Sequence, residues 1–319
     1  MQIRRILYPT DFSSCAEQAL DHALFLARRY DAELHILNAV VLHADDPANP
    51  ERQFPGSAEL LDRMVELASD RMAELVPDEH REVLRVREVQ ERGFAAGPII
   101  LEYADEHDID LIVMGTHGRR AAARFLLGSV ATEVVRHAEC PVFTVREAES
   151  PRPVEAFEKI LVPLDFSRHS LVALAYAKDL ASRYRSGLQL LHVVELTTYP
   201  TLYGPAAAMF DLDEIKRVSF EAMDRAVTRA PGPDVPVDKH VTSGRVASEI
   251  AAFAAAHESD LVVISTHGLT GLERMLTGST AEQVTRVVAC PVFTVKAFGK
   301  QLIDDLPEED LDSLEPEES

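Results

Sequence analysis

The chain has 319 residues, enough for two domains of about 150 residues that each bury a core of their own. Its net charge of −21 disfavours non-specific binding to nucleic acid or to anionic membranes. Hydrophobic residues make up 46%, yet no apolar run approaches the roughly 20 residues of a membrane span, and three cysteines without CxxC spacing argue against a disulfide framework.

Met1-Gln2-Ile3-Arg4-Arg5 leads straight into an apolar strand and does not read as a signal peptide, so a cytoplasmic protein is expected. That strand runs from Ile3 to Tyr8. Ser13 or Ser14 then caps a helix to about Tyr30, with Ala16, Ala19, Leu20, Ala23, Leu26 and Ala27 at helical spacing. A strand over Glu33–Val40 follows, then a polar stretch with Pro47, Pro50 and Pro55. The periodicity next predicts a helix over Ala58–Leu75, a strand over Glu82–Val89, a helix over Pro98–Glu106 and a short buried strand over Leu111–Met114. A glycine-bounded loop leads to a helix over Ser129–His137 and a last strand, Val142–Val145.

The same order then returns. Strands are expected near Lys159–Val162, Gly187–Val194, Val235–Val241, Leu261–Ile264 and Val292–Val295. Helices are expected near Leu171–Tyr184, Leu212–Thr228, Ala247–His257 and Ser279–Val288. The repeat is visible in the letters themselves. Ile6-Leu7-Tyr8-Pro9-Thr10-Asp11-Phe12-Ser13 returns as Ile160-Leu161-Val162-Pro163-Leu164-Asp165-Phe166-Ser167, and Cys140 to Val145 returns unchanged as Cys290 to Val295. A repeat of this length is a duplicated domain and lies outside solenoid periods. Continuous apolar strands alternating with helices predict an α/β fold in which a parallel sheet is covered on both faces. The domains are read as 1–146 and 157–297, joined by a linker over 147–156 that contains Pro151 and Pro153. Residues 298–319 form an acidic tail, expected to be disordered, with nine carboxylates and no basic residue from Asp304 onward.

In an open α/β sheet, ligands bind beyond the carboxyl ends of the strands where strand order reverses. Two features converge on that place. Asp11, and Asp165 in the second copy, stand just past the first strand, where a carboxylate can accept hydrogen bonds from ribose hydroxyls or an adenine amino group; helix capping is the plainer role. Gly115-Thr116-His117-Gly118 is followed after nine residues by Gly128-Ser129, at the start of a helix. Glycines there let the backbone approach an anion, and the helix N-terminus offers free amides and the positive end of its dipole. A tight turn with a serine cap is the plainer reading of the same letters. The pattern is neither a Walker A loop nor a Rossmann fingerprint, and no lysine is placed to reach a γ-phosphate. It suits holding a nucleotide better than cleaving one.

On these residues both halves resemble universal stress protein domains, and the chain resembles the tandem members of that family. The shared motif, G-x2-G-x9-G-[ST], is complete in the first copy as Gly115, Gly118, Gly128 and Ser129. The resemblance implies two open-twisted five-stranded parallel sheets of Rossmann-like type, related to the adenine nucleotide alpha hydrolase fold. It also implies an intramolecular pseudo-dimer through the last strands of the two halves. It implies ATP, with Mg2+, as ligand. Asp11 and Ala39 would face the adenosine, Gly115 the ribose, and Gly118, Gly128, Ser129 and Val130 the phosphates. The second copy offers Asp165, Val193, Gly268, Gly278, Ser279 and Thr280. A homodimer of the whole chain and a regulatory protein partner belong to the same expectation.

Two departures bear on the site. Ser265 replaces the first glycine of the second motif, where its side chain is expected to crowd the ligand. Arg119, Arg120 and Arg124 stand in the first loop, either as phosphate contacts or as solvated residues. His117 and His267 read as structural or near-ligand polar groups, since no nucleophile or metal partner accompanies them. Cys15, Cys140 and Cys290 read as packing residues. Gly128→Val is expected to block the first site while leaving the fold intact. The resulting reading is a nucleotide-responsive stress regulator or protective protein. Its alternatives are an adaptor that works through protein contacts without nucleotide, and a slow ATPase.

Overall fold

The computed structural model describes residues 1–41, 57–118, 127–195, 212–266, 279–296 and 299–303. The chain divides into two compact units that part between Val154 and Glu155. In the first unit the strands are β1 (Arg5–Pro9), β2 (Glu33–Val41), β3 (Val86–Gly93), β4 (Leu111–Gly115) and β5 (Val142–Val145). They lie in the order β3-β2-β1-β4-β5, and the pairs β1–β2, β1–β4, β2–β3 and β4–β5 are all parallel. The helices are α1 (Ser14–Tyr30), α2 (Ser57–Leu75), α3 (Asp78–Arg81), α4 (Ala96–Glu106) and α5 (Ser129–His137).

The second unit repeats the plan. Its strands are β6 (Lys159–Pro163), β7 (Gly187–Val194), β8 (Val237–Ser243), β9 (Leu261–Ser265) and β10 (Val292–Val295), in the order β8-β7-β6-β9-β10. Its helices are α6 (Arg168–Tyr184), α7 (Leu212–Arg229), α8 (Val246–Ala256) and α9 (Ser279–Val287). Two tandem five-stranded parallel sheets of Rossmann-like type are therefore present, as the alternating pattern predicts. Among the described residues no helix is long and apolar enough to cross a membrane.

The central strands explain why the sheets form. Ile6, Leu7 and Tyr8 of β1 are fully buried, as are Leu111, Ile112 and Val113 of β4, and each buried aliphatic side chain contributes about 1.5–3 kcal/mol. The start of β1 is fixed by a buried acid. Asp110 Oδ2 accepts from the amides of Arg4 and Arg5 at 2.6 and 2.9 Å, and Asp260 Oδ2 does the same for Glu158 and Lys159 at 2.8 and 3.0 Å. These carboxylates set the register of β1 on β4 and of β6 on β9.

Helix ends follow local chemistry. Ser13 and Ser167 are the caps of α1 and α6, their hydroxyls accepting from Ala16 N and Ser170 N. Both helices end on a left-handed residue, Asp31 and Arg185. Arg81 closes the end of α2 by donating to Ala73 O at 2.9 Å and Val76 O at 3.0 Å. Lys178, a buried cation, does the corresponding work beyond α7 by donating to Ala230 O at 2.9 Å.

The sequence pattern differs from the structure chiefly at β3. Alternation over Glu82–Val89 predicts a strand there, but β3 begins at Val86 and the preceding residues turn. Pro77 leads into α3, whose acidic first residues suit a helix N-terminus, and the amides of Val83 and Leu84 return to His80 O at 3.2 and 2.9 Å. Local capping outweighs period-two alternation in this segment. The expected linker is tied down at its start, for Ser14 Oγ donates to Glu147 at 2.6 Å and Gln18 exchanges two bonds with Ala148.

His22 of α1 lies buried against the Phe143 ring, with centroids 5.0 Å apart, and burial pushes its pKa down to about 3. The folded chain thus binds fewer protons at this site than the unfolded chain once pH falls below the usual histidine range near 6.5. Stability contributed by neutral His22 is present above that range and is lost between pH 6.5 and 3, at up to about 1.4 kcal/mol per pH unit. Denaturant unfolding of His22→Leu between pH 7 and 4 is expected to show a shallower acid-side loss of stability than the parent chain. An unchanged slope would refute the assignment.

Candidate functional site

Strand order reverses between β1 and β4, so the crevice beyond their carboxyl ends is where the fold leaves room for a ligand. The β1–α1 loop forms one wall and is held at every residue. Thr10 N donates to Leu37 O at 2.8 Å, and Asn38 Nδ2 donates to Thr10 O at 2.9 Å. Thr10 Oγ1 accepts from Phe12 N at 3.0 Å. The Tyr8 hydroxyl lies 3.3 Å from Thr10 Oγ1 and donates to Ala16 O at 2.7 Å. Burial raises the Tyr8 pKa, so it stays a donor. Asp11 Oδ1 accepts from the Ser13 amide at 3.1 Å and the Ser13 hydroxyl at 2.6 Å, while that hydroxyl accepts from Ala16 N. Asp11 therefore braces the capping serine and does not cap the helix itself. Between them Phe12 takes a φ of 60°, a left-handed conformation costly for a bulky residue.

The opposite wall is the β4–α5 loop. Gly115 ends β4, and a Cβ there would meet Cys15 Sγ at 2.9 Å and the Cys15 carbonyl carbon and oxygen at 3.0 Å. This glycine is required by the approach of α1. A Cβ on Gly118 would lie 2.5 Å from Asp11 Oδ2, so the second motif glycine rests directly on the acid that follows β1. Gly128 N donates to Thr116 O at 2.8 Å, which folds the loop back on itself. Gly128 is also the cap residue of α5 and supplies no side-chain bond to that helix, whose first-turn amides face the loop with exposed Ser129. Ala39 and Val130, both half-buried, pack against the same apolar cluster as Leu127. The structure thus sets Gly118 against Asp11 and starts α5 at Gly128 and Ser129 beside the same loop, while Ala39 and Val130 pack against the apolar cluster.

The second unit keeps the frame and changes the chemistry. Asp165 Oδ1 accepts from Ser167 N and Oγ at 3.0 and 2.6 Å, and Phe166 has a φ of 62°. His192 occupies the place of Asn38, its Nδ1 lying 2.8 Å from Leu164 O and its ring 4.6 Å from the Phe166 ring. Val193 packs against the second core, and Ser279 and Thr280 open α9. Gly268, Gly278 and His267 lie outside the described residues, as do Arg119, Arg120, Arg124 and the acidic tail from Asp304.

Two expectations change on this geometry. A Cβ at Gly128 would stand 2.9 Å from the Thr116 carbonyl oxygen, so Gly128→Val disturbs the loop backbone and is not neutral to the fold. The Cβ direction at Gly115 leads to α1 and away from the crevice, so a side chain at that motif position does not crowd a ligand in the first unit. His117 is held at one nitrogen and left unpaired at the other. Its Nδ1 meets Thr116 Oγ1 at 2.8 Å, its Nε2 is buried, and burial with the nearby Arg146 lowers its pKa. Cys15 is buried with Sγ donating to Val145 O at 3.3 Å, and Cys140 is part of the core. Sequence reasoning missed Tyr8, Thr10 and Asn38; a polar Asn38 within an apolar strand is the one available signal.

A five-stranded parallel α/β sheet whose strand order reverses between its first and fourth strands, built twice in one chain, defines a tandem α/β protein of Rossmann-like type. The profile of the universal stress protein family matches residues 2–146 and again 156–296, and the chain belongs to that family. A universal stress protein of Mycobacterium tuberculosis is 33% identical over 207 residues, covering 62% of this chain and 65% of that relative. The match thus spans just under two thirds of the relative's length. Another, from Methanocaldococcus jannaschii, is 34% identical over 147 residues, 46% of this chain and 85% of the relative. The crystal structure of a universal stress protein from Archaeoglobus fulgidus shares the fold, with a TM-score of 0.63 at 23% identity over 93% of this chain and 97% of that one.

The packing at Gly115 gives a direct test. Gly115→Ala is expected to lower stability by about 1–3 kcal/mol through overpacking against the Cys15 backbone, read as a fall in the denaturation midpoint. An unchanged midpoint would show that α1 yields at no cost.

Proposed function

We propose that this universal stress protein binds an adenine nucleotide, ATP accompanied by magnesium, in the first unit. The observation that carries this reading is the meeting of Asp11, Gly118 and the side-chain-uncapped start of α5 around one crevice. A nucleotide has two unlike ends, and the crevice offers a matching pair. The Asp11 carboxylate accepts from hydroxyl or amino donors, which the adenosine supplies, with Ala39 giving apolar contact. The amides at Gly128, Ser129 and Val130 and the dipole of α5 favour phosphate. Gly118 leaves the loop bare beside Asp11, and Gly115 lines the ribose with backbone alone.

Among the described residues no group of three or more His, Cys, Asp or Glu could hold a metal. Magnesium would then accompany the nucleotide on its phosphates as a counter-ion. Asp165, Val193, Gly268, Gly278, Ser279 and Thr280 form the corresponding second site, within a domain spanning 157–297, as the first site lies within 1–146. Nucleotide occupancy is then the signal that this stress-family protein passes on or acts under.

Asp11→Asn separates charge from structure, because the amide oxygen still accepts from Ser13. Calorimetric titration with Mg·ATP is expected to show binding weakened about tenfold or more, in line with about 1.5–3 kcal/mol for a charge-assisted bond, at an unchanged melting temperature. Equal affinity in the variant would remove Asp11 from the site. Absence of binding to the parent chain would favour the adaptor reading instead.

A further inference from the structure

The guanidinium of Arg71, on α2, stands 4.5 Å from the centroid of the Phe12 ring, and its Nη2 lies 3.4 Å from the Phe12 carbonyl oxygen. Phe12 is the residue held at a φ of 60° between Asp11 and the capping Ser13. Its ring is buried at 7% exposure. A left-handed phenylalanine needs support, and within its own loop the Phe12 amide donates to Thr10 Oγ1 at 3.0 Å. Arg71 adds to this by covering the ring and binding the carbonyl. The Phe12 peptides lead directly into Asp11 on one side and Ser13 on the other, and Ser13 holds Asp11 Oδ1 twice.

We infer that Arg71 is a positioning residue for the first site: acting through Phe12, it aims the Asp11 carboxylate and couples helix α2 to the ligand. The inference rests on the nucleotide reading above and adds to it a route by which occupancy is felt outside the crevice. Helix α2 is in turn fixed to β3, where Gln90 Nε2 donates to Val65 O at 3.1 Å and Ser69 Oγ at 3.2 Å. A ligand that draws on Asp11 therefore acts on Phe12, then on Arg71, then on α2. The second unit supports its own left-handed residue differently, with the His192 ring against Phe166. Among the described residues, the cation–π contact on the left-handed phenylalanine is found in the first unit.

The test is calorimetric titration of the full chain with Mg·ATP in an Asp165→Ala background, so that the first site is read alone. Three chains are compared: the background, Arg71→Met and Arg71→Lys. Methionine keeps an apolar stem over the ring but loses the charge and the donor, whereas lysine keeps both. Arg71→Met is expected to bind about threefold to tenfold more weakly, the loss of one cation–π contact and one hydrogen bond, and Arg71→Lys to recover most of it. Amide exchange at Phe12 and Ser13, measured without nucleotide, should quicken in Arg71→Met at an unchanged melting temperature. Unchanged affinity and exchange in Arg71→Met would overturn the proposal and leave the nucleotide reading standing. A fall in melting temperature that accounts for the weaker binding would also overturn it, making Arg71 a structural residue. No binding in the background chain, with quickened exchange in Arg71→Met, would sink the nucleotide reading while keeping the arm from Arg71 to the Asp11 loop.

Discussion

The approach of α1 to β4 at Gly115 is the constraint on which the first unit is built. With no side chain at that position, Cys15 sits on the strand end, a contact that a methyl group would already obstruct. The entry of α1 is fixed by this contact, and the helix entry fixes Ser13, which braces Asp11. The same strand end starts the loop that brings Gly118 against Asp11 and folds Gly128 back on Thr116. Thus one close helix–strand contact places both walls of the crevice. The motif glycine that sequence reasoning assigns to the ligand serves packing first, and the ligand crevice is a consequence of that packing.

Comparison of the two units separates geometry from chemistry. The positive φ of Phe12 recurs at Phe166, and the doubled bond from Asp11 to Ser13 recurs from Asp165 to Ser167. What supports them has been exchanged. The carbonyl after the first strand is held by Asn38 in one unit and meets His192 in the other. The hydroxyl pair of Tyr8 and Thr10 gives way to Val162 and Leu164. At the start of α4, Gly97 makes room for the Glu133 carboxylate from α5. In the second unit Ala247 and Gln283 take those places, and Glu249 turns back to accept from Thr242 Oγ1 at 3.1 Å. An acid near a helix N-terminus is kept in both cases while its origin changes. The backbone frame of the Asp loop recurs where its supports differ, as expected if that frame matters more than any one support.

Much of this was legible in the letters, and the reason is local. Ser129–His137 and Val142–Val145 begin and end where the periodicity puts them, because caps and apolar spacing are short-range properties. The duplicated Asp-Phe-Ser marked the loop after the first strand for the same reason. The strand β3 was misread because alternation in Glu82–Val89 competes with a capped turn of α3, and single-strand patterns carry no record of which wins. Asp110 carries no signal of its own in the sequence, since its partners, Arg4 N and Arg5 N, lie across the sheet. Arg71 was invisible for the same physical reason. Its charge on a helix reads as an ordinary solvated residue, and only the fold shows that its guanidinium lies over the Phe12 ring.

A chain of net charge −21 is at first sight a poor receptor for a polyanion. The length scales resolve this. At physiological ionic strength, charges beyond about 8 Å are largely screened, so carboxylates spread over the surface contribute little at the crevice. What acts there is short-ranged: the amides of the first turn of α5, left without a side-chain cap by Gly128, and the end of the helix dipole. Asp11 is the local exception, a negative charge within the same crevice. Its place is beyond β1, whereas the α5 amides lie beyond β4, so the two features favour opposite ends of a bound molecule. A simple anion such as inorganic phosphate would meet attraction from one and repulsion from the other. Under the proposed reading, a ligand with neutral donors at one end and phosphate at the other would meet attraction from both, an asymmetry that would favour a nucleotide over its isolated phosphate.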